Sequence, residues 1–309
     1  MNVLKSESPA FEGRETAVTV GTFDGVHRGH RAVLDFLTEE ASRRGLSPVA
    51  VTFDPHPLWV VSPDRAPLLL ETPEERVVLL KEAGVEVVTV DFTPEVMRIT
   101  ADEWIGMLAD RLGAKLLVAG YDNTFGSDGM TMSLSDYRDI GLRHGVEVIR
   151  APEVKGVSST AIRRLLGAGD VEQAASQLGF PYTLSGVVEP GRKLGRRLGF
   201  PTANLAIAGI MQIPGPGVYA AEACVADGRC YPAVVNIGVR PTVDENLPLT
   251  VEAHLCGFEG NLYGRTLRLR FLRRLRDEHR FSTLDELKAA IAGDVASVCA
   301  NCGAGVKEE

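Results

Sequence analysis

The sequence contains no apolar run near the ~18 residues that a membrane-spanning helix requires. Its first residues, MNVLKSESPAFEGRE, lack the apolar stretch of a secretory signal, so we expect none. Hydrophobic residues make up 45% and charged residues 24% of the 309 residues, which excludes disordered, collagen-like and coiled-coil classes. These features predict a globular protein with two domains or one large one.

A basic excess is also lacking, since the formal net charge is −8. Nucleic-acid binders need cations to neutralise phosphates, so we predict neither a nucleic-acid partner nor a membrane partner. The five cysteines are odd in number and none lies in the first two thirds of the chain. This argues against a disulfide framework and for a cytoplasmic location. Cys299-x-x-Cys302 is a single pair, short of the four ligands of a structural zinc site, and is interpreted as structural or incidental.

Strand-like and helix-like segments alternate through the first half of the chain. Helix-capping boxes, in which Thr is followed three residues later by Glu, begin at Thr72 and Thr100. Apolar strands are predicted at 17–20, 48–53, 85–92, 114–120 and 146–151. Apolar strands that alternate with helices predict an α/β domain whose parallel sheet is covered on both faces.

The pattern changes near residue 180. Two short helical segments, SSTAIRRLLGAG and DVEQAASQLG, are predicted to close the first domain. Beyond them, strand-like segments separated by Gly, Pro and Asn turns predict an antiparallel barrel or sandwich. An amphipathic helix follows, with Ser282 or Thr283 as its cap. The predicted domains are therefore 1–180 and 181–309.

The segment GTFDGVHRGH (21–30) joins a predicted strand to a predicted helix. This layout holds phosphates, because small residues let the backbone approach an anion and the helix N-terminus attracts it. His27 and His30 would share one helix face and donate hydrogen bonds to phosphate oxygens. The alternative is a simple strand–helix turn with incidental histidines. The segment is neither a Walker A loop nor a GxGxxG fingerprint, which excludes the ordinary ATPase and dehydrogenase classes.

This segment closely resembles the HxGH signature of nucleotidylyltransferases. Together with VTFDPHP (51–57) it resembles the bacterial bifunctional riboflavin kinase/FAD synthetase family. Two further elements of that family follow in order, GYDNTFG (120–126) and SSTAIR (158–163). The chain departs from the family pattern at Asn123, where Phe is usual, and a glycine expected shortly after Phe125-Gly126 is not in its usual place.

The resemblance implies a Rossmann-like nucleotidyltransferase domain that transfers an adenylyl group from ATP to FMN. His27, His30 and Mg²⁺ would stabilise charge, and Arg163 would clamp the triphosphate. Asp122 would contact nucleotide or metal. An Asx-turn at Asp122 and a solvated arginine at Arg163 remain the alternatives. The other implied ATP or phosphate contacts are Gly21, Phe23, Asp24, Gly25, Gly29, Ser159 and Thr160.

A second segment, GRKLGRRLGFPTANL (191–205), is dense in Gly and Arg. Such a segment can cover a polyphosphate, and Thr and Asn offer oxygens to Mg²⁺. The alternative is a basic surface hairpin with PTAN as its turn. The segment is similar to the ATP-binding element of riboflavin kinases. This similarity implies that Gly195 and Arg196 bind ATP, and that Thr202 and Asn204 contact Mg-ATP.

The resemblance continues to the C-terminal helix and places the base of the kinase reaction at Glu252, in TVEAHL (250–255). Without the resemblance, Glu252 would be interpreted as a residue on the solvent-exposed face of a strand. Glu259, Asp277 and Glu278 are rivals on charge alone. The implied enzyme converts riboflavin to FMN and FMN to FAD, with ATP as co-substrate. The alternative is a kinase whose N-terminal domain is a non-catalytic flavin- or nucleotide-binding module. The oligomeric state is not predicted.

Overall fold

The computed structural model describes residues 4–5, 11–121, 124–191, 194–239, 249–279 and 281–301. The chain divides into two compact units, residues 1–159 and 160–309. The sequence placed the boundary between residues 180 and 181, and that boundary stays a prediction.

The first unit is an α/β layer structure, as predicted. Its strands are β1 (Leu4–Lys5), β2 (Thr16–Val20), β3 (Ser47–Asp54), β4 (Glu86–Asp91), β5 (Ala114–Ala119) and β6 (Glu147–Arg150). Its helices are α1 (Arg28–Arg44), α2 (Pro57–Val61), α3 (Pro73–Glu82), α4 (Ala101–Leu112) and α5 (Leu134–Arg143). β1 and α2 were not predicted.

The six strands form one sheet in the order β1-β4-β3-β2-β5-β6. All pairs are parallel except β1 with β4. The chain runs from β2 through β3 to β4 on one side, then returns to β5 and β6 on the other. The direction of winding therefore reverses at β2. Ligands of open parallel sheets bind outside the carboxyl ends of the strands at this reversal.

Both faces of the sheet are buried, because alternate side chains enter two separate apolar clusters. Val18 and Val20 of β2 lie in one cluster with Trp104, and Ala17 lies in the other with Leu34. The two predicted capping boxes start α3 at Thr72 and α4 at Thr100, each with reciprocal Thr and Glu hydrogen bonds. Local sequence signals therefore set where these helices begin.

The second unit contains a closed antiparallel barrel, which confirms the barrel prediction. Its strands are β7 (Thr183–Glu189), β8 (Ala203–Ala206), β9 (Gly217–Val225), β10 (Cys230–Val239), β11 (Leu249–Leu255) and β12 (Thr266–Arg276). Their order is β10-β11-β8-β7-β12-β9. Within the described residues, four helices accompany the barrel: α6 (Ser159–Gly167), α7 (Val171–Leu178), α8 (Leu194–Leu198) and α9 (Leu284–Asn301).

The two short helices that the sequence assigned to the first domain contact the barrel unit, α7 at β12 and α6 through its end and the turn that follows it. The backbone N–H of Gly215 donates to the carbonyl oxygen of Leu166 at 2.8 Å. The Arg274 guanidinium donates to the carbonyl oxygen of Ala168 at 3.2 Å. Helical pattern alone could not reveal these partners, because each lies far away in the sequence.

The C-terminal helix α9 packs on the outer face of the barrel. Val298 joins Val218 of β9 and Val234 of β10 in an apolar cluster. Of the two predicted caps, Thr283 accepts the hydrogen bond from the Glu286 backbone N–H, at 3.2 Å. Among the residues that the structure describes, no helix is long and apolar enough to cross a membrane.

The structure contains a disulfide, which corrects the sequence-based argument against disulfides at this position. Cys224 and Cys230 form a disulfide, because β9 and β10 pair these two residues directly across the hairpin. The odd count and late positions of the cysteines carried no information about this register. Within the described part of the chain, Cys256 and Cys299 form no disulfide. Cys302 lies outside the described residues, so the interpretation of the Cys299–Cys302 pair stays open.

Candidate active sites

The Gly21–His27 loop leaves the carboxyl end of β2, where the winding of the sheet reverses. Gly25 has a φ of 91°, which glycine adopts readily. Phe23 and Val26 also have positive φ values, 50° and 33°, and both side chains are buried. A left-handed backbone at such residues costs about 1–3 kcal/mol each and persists only where neighbouring contacts hold it. The loop is therefore a strained segment, which is common at functional sites.

His27 and His30 meet at the N-terminus of α1. His27 is the N-cap, and its Nδ1 accepts the backbone N–H of His30 at 3.2 Å. The two imidazole rings stack, with their centroids 3.7 Å apart. Because Nδ1 of His27 is an acceptor, the neutral ring carries its proton on Nε2. The ring therefore has its one N–H on Nε2, and Gly29 lies beside it in the first turn of α1.

His30 is kept neutral by its surroundings. Burial, followed by the charges of His27 and Arg76, holds the pKa of His30 well below its ordinary value. The edge of the Phe23 ring contacts the imidazole, with centroids 5.3 Å apart. Nδ1 of His30 is buried and has no hydrogen-bond partner within the described part of the chain. The site therefore offers a neutral His30 imidazole next to a helix N-terminus.

Asp24 turns inward from the loop. Its carboxylate accepts the Leu70 backbone N–H at 3.0 Å, and its carbonyl oxygen accepts the Ser159 hydroxyl at 2.7 Å. Ser159, from the SSTAIR element, thus fastens the loop. Sequence reasoning missed Glu71 and Arg76, which are also buried here. The sequence feature that could have indicated this buried pair was Glu71, a charged residue directly after the apolar run 67–70.

The described structure does not test three predicted residues of this site. Thr160 and Arg163 lie on α6 in the second compact unit, and their contacts with ATP stay predictions. Asp122 lies outside the described residues, as does Asn123. Nearby, the Tyr137 hydroxyl donates to the carbonyl oxygen of Phe125 at 2.8 Å and accepts the Phe125 backbone N–H at 3.0 Å.

In the barrel, three polar residues form a row across adjacent strands. Glu252 of β11 is in register with Asn204 of β8 on one side and Asn236 of β10 on the other. Their neighbours Val251 and Ala253 are buried inside the barrel. Since side chains alternate along a strand, the row lies on the outer face of the barrel. The register therefore brings together two of the predicted site residues, Glu252 and Asn204, and adds Asn236, which the sequence did not indicate.

Thr202 precedes β8 and meets Glu252 directly. The Thr202 hydroxyl donates to the Glu252 carboxylate at 3.3 Å. The Gly- and Arg-rich segment predicted to cover a polyphosphate contains the short helix α8, which carries Gly195 and Arg196. A Cβ at position 195 would lie 2.3 Å from the Phe200 carbonyl oxygen, so this close approach requires glycine.

Two cavities adjoin Thr202. A cavity of about 260 Å³ is lined by apolar side chains of β9, β10 and α9 and by two members of the polar row, including Val218, Val234, Asn236, Glu252, Leu287 and Ile291. A second cavity of about 90 Å³ is lined by residues that include Arg196, Leu255, Phe258, Leu262 and Tyr263. Thr202 lines both cavities. The two cavities therefore share this residue.

Comparison with known proteins decides the family. The family model described as FAD synthetase matches residues 11–163, and the one described as riboflavin kinase matches residues 178–301. A bifunctional riboflavin kinase/FMN adenylyltransferase from Pseudomonas fluorescens is 38% identical over 291 residues, 93% of each chain. The chain belongs to the bifunctional riboflavin kinase/FMN adenylyltransferase family. The predicted family is confirmed.

Other relatives extend this agreement over nearly the whole chain. The bifunctional riboflavin kinase/FMN adenylyltransferase of Escherichia coli K12 is 38% identical over 283 residues, 90% of each chain. The one from Bacillus subtilis 168 is 34% identical over 289 residues, 92% of this chain and 91% of that one. A crystal structure described as a macrolide-efflux protein from Streptococcus pneumoniae has a TM-score of 0.83 at 30% identity and covers 94% of this chain and 97% of that chain. The two-part fold is thus shared by a protein of similar length.

Proposed function

We propose that this chain makes FMN and then FAD in two ATP-dependent steps at separate sites. Riboflavin is phosphorylated at the barrel row, and FMN is adenylylated at the Gly21–His27 loop. The observation that carries the kinase assignment is the Thr202 hydroxyl, which lines both barrel cavities and contacts Glu252. The family favours this bifunctional activity over a non-catalytic N-terminal module.

In the kinase step the larger, mainly apolar cavity takes riboflavin and the smaller cavity takes ATP. Aromatic and aliphatic side chains, such as Phe258 and Leu262, suit a nucleotide base, and Arg196 suits phosphate. The ribityl 5′ oxygen attacks the γ-phosphorus of ATP and ADP leaves. Glu252 accepts the hydroxyl proton as general base. The contact with Thr202 holds the carboxylate at the junction of the two cavities.

The residues around this junction fit Mg²⁺. The Thr202 hydroxyl and the Asn204 side-chain carbonyl are hard oxygen donors, and the Glu252 carboxylate adds a negative charge. Thr202 and Asn204 would hold the ion with the ATP phosphates. When bound, Mg²⁺ neutralises phosphate charge.

In the adenylylation step a phosphate oxygen of FMN attacks the α-phosphorus of ATP, and the bond to the β-phosphate breaks. Pyrophosphate leaves, and no protein nucleophile is needed. His27 donates from Nε2 to a phosphate oxygen, while the helix N-terminus and His30 complete the anion site. Catalysis is then positioning and charge stabilisation. We retain Arg163 as the proposed triphosphate clamp. The cytoplasmic location also stays a prediction.

The proposed function is tested by supplying the full chain with riboflavin, ATP and Mg²⁺ and separating FMN from FAD by chromatography. We expect FMN to appear first and FAD to follow, with pyrophosphate released in amounts equal to FAD. Supplying FMN directly should give FAD without a lag. FMN that accumulates without any FAD would support the non-catalytic N-terminal module instead.

Thr202→Ala is expected to raise the KM for Mg-ATP in the kinase step, because the hydroxyl that lines both cavities is lost. Asn204→Ala should act in the same direction. Riboflavin binding, followed by flavin fluorescence, should change little, since neither side chain belongs to the apolar wall of the larger cavity. Thr250→Ala is a matched control on β11, because its hydroxyl donates to the Gly238 carbonyl oxygen instead. An unaltered KM for Mg-ATP in both Ala variants would show that the PTAN segment does not bind Mg-ATP.

A further inference from the structure

Three ionisable side chains lie buried against the Gly21–His27 loop, outside the reacting groups described above. Arg76 and Asp24 are each 1% exposed and Glu71 is 5% exposed. Buried charges are costly unless they are paired and hydrogen-bonded. The hydrogen bonds that these two carboxyl groups and this guanidinium make therefore show what they do in the fold. We call these three side chains the buried ionic cluster.

The two carboxylates connect the loop to the segment that precedes α3. Asp24, in the loop, accepts the backbone N–H of Leu70 at 3.0 Å. Glu71, in the segment before α3, accepts the backbone N–H of Gly25 in return. The two hydrogen bonds run in opposite directions across the same gap. Together they fix the middle of the loop against residues 70–71.

Arg76 connects this pair of hydrogen bonds to the sheet. Its Nε donates to Glu71 Oε1 at 3.3 Å, and its Nη1 donates to the carbonyl oxygen of Phe53 at 2.9 Å. Phe53 lies near the carboxyl end of β3, the strand beside β2. One guanidinium therefore ties the loop that follows β2 to the neighbouring strand.

The loop needs such a restraint because Phe23 and Val26 hold left-handed backbone conformations. His27 follows Val26 directly. We propose that Arg76 and Glu71 are positioning residues for adenylyl transfer, which hold the strained loop so that His27 and His30 meet the phosphates. This inference rests on the proposed assignment of adenylyl transfer to the two histidines.

The charges of the cluster agree with this role. Burial, followed by the negative charge of Asp24, raises the pKa of Glu71 to about 8, while Arg76 and the Gly25 N–H act in the opposite direction. The positive charge of Arg76 also contributes to the low pKa of His30, after burial and His27. Arg76 therefore acts on the loop through hydrogen bonds and on His30 through its charge.

The test uses full-length Arg76→Met and Arg76→Lys variants. For Arg76→Met we expect kcat for FAD formation from FMN and ATP to fall about 10²-fold, the typical cost of misplacing a catalytic group by ~1 Å. The KM for FMN should change much less, and FMN formation in the barrel should keep its normal rate. The pH profile of FAD formation should move to higher pH, because a cation that lowers the pKa of His30 is gone. Arg76→Lys keeps the charge but not both hydrogen bonds, so it should keep the pH profile and lose part of kcat.

Leu80→Ala is the matched control on the same helix, since Leu80 is fully buried in the core. It should lower the melting temperature yet leave kcat for FAD formation unchanged well below that temperature. If Arg76→Met behaves like Leu80→Ala, the cluster is merely structural and the inference is overturned. If Arg76→Met fails to fold, Arg76→Lys decides, and a wild-type kcat there overturns the inference. If His27→Ala and His30→Ala both keep FAD formation, the proposed function fails instead.

Discussion

Riboflavin phosphorylation is expected to fall by about 10²–10⁴ in Glu252→Gln, the typical cost of removing a general base. Gln keeps an oxygen that can accept the Thr202 hydroxyl, so the junction of the two cavities should stay intact. It cannot accept the ribityl proton, so the loss should appear in kcat more than in KM. FMN supplied directly should still become FAD at the normal rate, because the loop site is unchanged. Chromatography of the flavins from both substrates measures the two rates.

The control for this variant is Glu278→Gln, because Glu278 also lines the larger cavity. It should reduce riboflavin phosphorylation far less, since the Thr202 hydroxyl donates to Glu252 at the junction. The other rivals are placed differently: Asp277 lies 3.2 Å from Arg274, and Glu259 is outside both cavities. Near-wild-type FMN production by Glu252→Gln together with a large loss in Glu278→Gln would move the base to Glu278.

The parts of the fold that the sequence predicted well are those encoded locally. The capping boxes at Thr72 and Thr100 need only four consecutive residues, and the parallel strands are apolar on both faces. β8 escaped prediction because Pro201 and Asn204 make PTAN look like a turn. It is a strand because β7 and β11 pair with it on both sides. Pairing with distant partners here overrides local propensity.

The candidate sites also contain some residues that local sequence brings together and others that only the fold brings together. His27 and His30 are three residues apart, so the sequence alone places them together at a helix start. The row of Glu252, Asn204 and Asn236 depends on the register of three strands, which no local pattern specifies. Arg76 reads in the sequence as an ordinary helical arginine. Its burial depends on packing between α3 and the loop, which is a property of the folded chain.

His27→Ala and His30→Ala are each expected to suppress FAD formation and pyrophosphate release by about 10²–10³, the usual cost of one donor in a preorganised site. FMN production from riboflavin should continue, because the barrel row is untouched. His27→Ala also removes the N-cap of α1, which typically costs about 1 kcal/mol in the free energy of unfolding. A modest fall in melting temperature is therefore expected in this variant alone, and thermal melts with both activity assays measure the two effects.

His27→Asn separates the cap from the chemistry. Asn is a strong N-cap, so its side chain should accept the His30 backbone N–H as the imidazole does. Its amide is too short to place a donor where Nε2 of His27 lies. We therefore expect a melting temperature close to that of the wild type and a loss of FAD formation close to that of His27→Ala. Recovery of FAD formation in His27→Asn would show that His27 acts only as a cap, and the phosphate contact would then belong to His30 and the helix N-terminus.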